Sequence, residues 1–153
     1  MNSVCRVAVI LGLAFLCVAP VALPAAETPS VFSAEKAVDG SLVRVEMRFP
    51  GQAATGESVP LHVELVFDRP MSGVFPSVSV TWRTVPDGAS TPEVLPGVPV
   101  TDIRFSASGH YDMEAEVALV FKNSCGGVRL VPLGSASFAV DVSVVDASGP
   151  DLS

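Results

Sequence analysis

The sequence predicts an all-β protein, an antiparallel β-sandwich of seven or eight strands behind an N-terminal signal peptide. Three observations predict it. Apolar residues recur with a period of two along almost the whole chain beyond residue 30, the signature of strands with one face buried. Clusters of Pro, Gly, Asp and Ser interrupt that alternation every 8–12 residues or so, as turns between short strands do. No window sustains the 3.6-residue period of an amphipathic helix.

Each element follows in order. A first strand near Val31–Val38 joins a second, Leu42–Phe49, through Asp39-Gly40, a dipeptide suited to a two-residue hairpin. In the second strand Val43, Val45, Met47 and Phe49 alternate with Arg44, Glu46 and Arg48. Val59–Phe67 sets Leu61, Val63, Leu65 and Phe67 opposite His62 and Glu64. Ser77–Val85 puts Val78, Val80 and Trp82 on one face, and Val100–Phe105 is a shorter strand ending in Ile103 and Phe105. His110–Phe121 is the longest, with Tyr111, Met113, Ala115, Val117, Leu119 and Phe121 inward. Val128–Leu133 is read as a short strand ended by Pro132 and Gly134, and Ala136–Val145 closes the set with Phe138, Val140, Val142 and Val144. Pro50–Ser58 reads as a turn, and the proline-rich stretch Pro86–Pro99 as an extended loop or a poor edge strand.

The N-terminus is expected to direct export. Met1–Arg6 is a short positive region, Val7–Ala19 an apolar run of 13 residues, and Pro20–Ala26 a small-residue segment with cleavage expected after Ala26, or at Ala22 or Ala25. The apolar run is short of the roughly 20 residues a spanning helix needs, and Pro20 and Pro24 interrupt it. The expected organisation is residues 1–26 as a cleaved signal, 27–146 as one sandwich domain and 147–153 as a flexible tail, in a periplasmic or secreted protein with no membrane span after cleavage. Arg6 is the only charged side chain of the signal, so its removal takes the net charge from −7 to −8. That acidic balance excludes a duplex nucleic-acid binder, which needs clustered Lys and Arg, and a polybasic membrane-surface protein. Removal of Cys5 and Cys17 also leaves Cys125 alone, so no internal disulfide staples the domain and an ordinary core must hold it.

Gly56-Glu57-Ser58-Val59-Pro60-Leu61, Trp82 and Ser108-Gly109-His110-Tyr111 together resemble the immunoglobulin-like β-sandwich class of bacterial proteins. Gly56-Glu57-Ser58-Val59-Pro60-Leu61 is similar to the entry to the second strand of such domains. Trp82 stands where they keep a core tryptophan on the third strand, and Ser108-Gly109-His110-Tyr111 is similar to the turn into their sixth strand, where a tyrosine corner forms. The resemblance spans roughly Gly56–Val145. The paired cysteines of antibody domains are absent, and Val63 and Met113 stand at the corresponding inward positions.

Candidate chemistry is sparse. Cys125, with Gly126 and Gly127, forms a loop where an accessible thiol could make a disulfide-linked dimer, carry a group or ligate a soft metal. The sequence here resembles the Gly-Gly-Cys-Gly-Gly arm of periplasmic sulfur-carrier proteins, although that arm is C-terminal and Cys125 lies 28 residues from the C-terminus. A copper site would draw on His62, His110, Met113 and Cys125, with Met47 and Met71 as further candidates. Strand geometry opposes it, since residues three apart point to opposite faces: Met113 and Met47 fall inward, His110 outward. His110, Asp112, Glu114 and Glu116 form an outward stripe whose spacing of about 6.6–7 Å is too wide for one cation. The chain holds no Gly-x-Ser-x-Gly, His-Glu-x-x-His or Gly-x-Gly-x-x-Gly motif, so no enzyme activity and no cofactor are expected.

The function expected from these residues is that of an exported, non-catalytic binding or assembly module. It would recognise an envelope or secreted protein through loops, chiefly Pro86–Pro99 and Lys122–Ser137, or through a strand edge. The alternative is a periplasmic copper-handling or thiol-carrier protein acting through Cys125.

Overall fold

A computed structural model describes residues 29–122 and 126–144; the expected signal, Cys125 and the tail from residue 147 lie outside the described residues. The described chain is all β, without helix, and no helix is long and apolar enough to cross a membrane. Nine strands run in order: β1 (Ser30–Val38), β2 (Ser41–Phe49), β3 (Gln52–Ala54), β4 (Ser58–Phe67), β5 (Val74–Thr84), β6 (Glu93–Leu95), β7 (Val100–Arg104), β8 (Gly109–Lys122) and β9 (Val128–Ser143). One sheet has the order β1-β2-β4-β7-β6 and the other β3-β9-β8-β5. Every pairing is antiparallel except the short parallel contact of β3 with β9.

The alternation read from the sequence becomes the core between these sheets. Val43, Val45, Met47 and Phe49 of β2 and Val59, Leu61 and Val63 of β4 face Tyr111, Met113, Ala115, Val117 and Leu119 of β8, all buried. The hairpin at Asp39-Gly40 forms as expected: both residues have positive φ, 48° and 81°, and Val38 pairs with Ser41. That conformation matches the twist of the flanking strands and admits Asp and Gly at little cost. Asp68 then ties β2 to the end of β4. Ser41 Oγ–H donates to its carboxylate at 2.6 Å, Leu42 N–H donates at 2.8 Å, and Asp68 N–H donates to Leu42 O at 3.1 Å. The Ser41 hydrogen bond, seconded by the Leu42 amide, holds the Asp68 carboxyl below its ordinary value.

Three elements differ from the sequence reading. β3 forms where a turn was read, with three residues and so too short to display a period, whereas β6, a three-residue strand at the sheet edge, is the poor edge strand read as one alternative for Pro86–Pro99. β5 begins at Val74 rather than Ser77, running through Pro76, which an edge strand tolerates because one row of its N–H groups has no ladder to join. Finally, the two segments read as separate strands run together in one strand, β9, from Val128 to Ser143, and neither Pro132 nor Gly134 ends it.

A bulge explains the last difference. Val117 pairs with Gly134 and Ala118 with Pro132, leaving Leu133 as an extra residue. Before it the inward positions are Val131 and Leu133; after it they are Ala136, Phe138, Val140 and Val142. One inserted residue changes the parity of a strand, so two segments with opposite phases both bury their apolar sides. β1 lies along this edge: Lys36 Nζ donates to Pro132 O at 2.6 Å, and a Cβ on Gly134 would come 3.1 Å from the Phe32 ring.

The phase argument makes a prediction. Leu133→Ala should cost about 2–5 kcal/mol, the usual loss for a buried leucine side chain. Deleting Leu133 should cost no more than that in urea denaturation, because Gly134 would then follow Pro132 directly, opposite Val117 and Ala118, and both halves of β9 keep their phase without a bulge. A deletion markedly costlier than Leu133→Ala would show that the bulge does more than absorb one extra residue.

Candidate functional site

β4 has ten residues and β7, its neighbour, five. β7 pairs with β4 from Ser58 to His62, and the last contact on that side is Val63 N–H donating to Pro99 O at 2.8 Å. Beyond it, Glu64–Phe67 has β2 on one flank and no described strand on the other. In an antiparallel ladder the backbone groups of successive residues point to alternate sides. Asp68 bonds Leu42 in the β2 register while Val63 bonds Pro99 on the β7 side. Even-numbered residues of this stretch therefore address β2. The N–H and C=O groups of Leu65 and Phe67 address the flank that β7 does not reach.

A groove of about 580 Å³ lies at this place. Its apolar lining comes from Val63, Leu65 and Phe67 of β4, Pro76 of β5, and Val98 and Pro99 ahead of β7. Leu65, Phe67 and Val98 are half-buried, so the sandwich is incompletely closed between β4 and β5. Nearby Val66 and Phe75 are exposed, at 48% and 51%. The polar rim is Glu46, Arg48, His62 and Glu64 on the outer face. Arg48 and Glu46 pair with each other, whereas Glu64 has no ion-pair partner among the described residues.

The other candidate residues are dispersed. His62 is exposed at the groove rim, while Met113 and Met47 are fully buried in the core and Met71 packs half-buried against it. His110 lies on the outer face of the second sheet, so the structure does not bring His62, His110 and Met113 together. Among the described residues no three His, Cys, Asp or Glu side chains are grouped to hold a metal ion. Cys125 lies outside the described residues; Gly126 beside it has φ 78°, and Gly127 is exposed.

The outer stripe on β8 has local partners. Glu114 pairs with Arg83, and His110 Nδ1 lies 2.7 Å from Asp141 Oδ1 on β9, with its Nε2 3.3 Å from Asp112. The Asp141 hydrogen bond, aided by the charge of Asp112 against some desolvation, raises the His110 pKa above 6.5. On the buried side Tyr111 O–H donates to Ala107 O at 2.9 Å, and its ring packs 4.9 Å from Phe105 and 6.1 Å from Trp82. Burial pushes the Tyr111 phenol up. This polar tip inside an aromatic cluster is a fastening for the turn into β8.

The groove residues Leu65, Phe67 and Pro76 were not distinguished as site residues by sequence reasoning, which placed the interest in loops. The available signal was a difference in length between Val59–Phe67 and Val100–Phe105, and its meaning depended on knowing that the two strands pair.

The His110 tie has a testable sign. A raised folded pKa means that its stabilisation is present in full below 6.5 and is lost as pH rises through the folded value. An NMR titration should place the His110 midpoint above 6.5, and Asp141→Asn should lower it more than Asp112→Asn does. An unchanged midpoint in Asp141→Asn would contradict the assignment.

Compared with known proteins, the chain matches no family model, no curated protein and no solved structure.

Proposed function

We propose that this protein is an exported, non-catalytic immunoglobulin-like domain that binds a protein partner in the cell envelope or outside the cell. The observation that carries the reading is the groove beside Leu65 and Phe67. It combines apolar side chains with backbone hydrogen-bonding groups that no described strand uses, which is what an extended polypeptide requires. The titratable groups at its rim are outward side chains of one sheet face, Glu46, Arg48, His62 and Glu64, suited to surface recognition.

The immunoglobulin-like part of the reading is supported by strand order. With β1 set aside, β2-β4-β7-β6 follows the A-B-E-D order and β5-β8-β9 the C-F-G order of that architecture. Tyr111, two residues before Met113, bonds back to Ala107 as the tyrosine of such a corner does. Val63 and Met113, at the inward positions that carry the disulfide in antibody domains, are both buried. Export rests on the pattern of residues 1–26.

The reading is tested by photo-crosslinking in the producing cell. A photoreactive residue replacing Val66, or one in the Pro86–Pro99 loop, should yield discrete protein adducts, and one replacing Ala139, on the outer face of the other sheet, should not. Absence of protein adducts at every position, with a small molecule retained through native purification, would overturn the reading.

A further inference from the structure

We propose that the partner enters as an extended segment that pairs with the Val63–Phe67 stretch of β4 as an added strand, and that this segment alternates apolar residues with Lys or Arg. The inference rests on the partner-binding reading above and deepens it.

Backbone geometry comes first. β7 fills the flank of β4 only as far as His62, and Val63 is held by Pro99 O. A proline cannot return an N–H, so the Val63 carbonyl faces Pro99 without the reciprocal bond of a ladder pair. That carbonyl, with the N–H and C=O groups of Leu65 and Phe67, forms one row on one edge. The Asp68 clamp fixes the far end of the row, so a segment docking there meets a strand already in place. An added strand would recover the ladder bonds that the short β7 leaves unmade.

The edge is also unlike the other edges of the sandwich. β1 carries Glu35 and Lys36 and lies along β9, β5 carries Pro76 and Arg83, β6 has three residues, and β9 carries Pro132. Prolines, charges, short strands and covering elements are the usual protections against edge pairing. Leu65-Val66-Phe67 has neither charge nor proline.

Side chains then define the occupant. A strand beside β4 sends alternate residues to opposite faces. Its inward residues enter the groove over Leu65, Phe67, Pro76 and Val98 and are therefore apolar. Its outward residues lie beside His62, Glu64 and Val66. Glu64 is the rim carboxylate without an ion-pair partner among the described residues, and opposite charges on neighbouring strands attract. A basic side chain there fits, which argues for a different protein rather than a second copy of a chain with net charge −7.

Panning a phage-displayed library of random 12-residue peptides on the full chain tests this. Enriched sequences should alternate apolar residues with Lys or Arg, and their synthetic forms should slow amide hydrogen exchange at Leu65 and Phe67 at least tenfold. N-methylation of the peptide nitrogens facing β4 should abolish binding, and methylation of the outward nitrogens should not. Glu64→Lys, at an exposed position, should weaken the basic peptides at least about threefold, attraction having become repulsion. Recovery of no peptide would overturn the proposal. So would peptides without alternation, protection confined to other amides, equal binding to Glu64→Lys, or protection of Leu65 and Phe67 by concentration-dependent dimerisation alone. Crosslinks to a partner arising only from the Pro86–Pro99 loop would leave the partner-binding function standing and remove the edge from it.

Discussion

A two-residue side-chain period, kept in phase across two facing sheets, is the constraint on which this molecule depends. The described residues contain no cysteine, so no covalent bridge corrects an error in register. A slip of one residue in β2, β4 or β8 would send Met47, Val63 or Met113 from full burial to the surface. Two local devices pin the phase. The Asp39-Gly40 turn fixes β1 against β2, and the Asp68 carboxylate fixes the far end of β4 against the start of β2. In the second sheet, a bulge absorbs the extra residue Leu133, so both halves of β9 stay in phase with β8.

The opening between the sheets follows from the same arrangement. β4 must run ten residues to reach the Asp68 clamp, while β7 pairs with five of them. The remaining flank has apolar side chains that two sheets alone do not cover and backbone groups that one neighbour alone does not satisfy. Packing and hydrogen bonding therefore fall short at the same place, and this coincidence distinguishes the groove from the exposed hydrophobic residues Val31, Leu95 and Leu130 elsewhere on the surface.

Much of the fold was legible because it is written locally. Alternation in Leu42–Phe49 and His110–Phe121 located the two most regular inward faces, and Met47 and Met113 were read as core residues from parity alone. Asp39-Gly40 announced its hairpin, and Tyr111 its bond to the preceding turn. What escaped depends on pairing between residues far apart. β3 owes its existence to β9, about ninety residues later (Gln52 with Asp141). The two phases of β9 read as two strands because only the partner β8 shows that they are continuous. The groove was hidden for a related reason: Leu65 and Phe67 alternate like any core residues, and only the late start of β7, at Val100 opposite His62, leaves them half-covered.

The most direct test of the open edge is residue-resolved hydrogen exchange on the free protein under native conditions. Glu64 and Val66, whose amides address β2, should exchange slowly, as should Val63, whose N–H is held by Pro99 O. Leu65 and Phe67 should exchange with little protection although they lie between slow neighbours in the same strand. Protection of Leu65 and Phe67 equal to that of Glu64 and Val66 would mean that this flank of β4 is already paired, and would contradict the account.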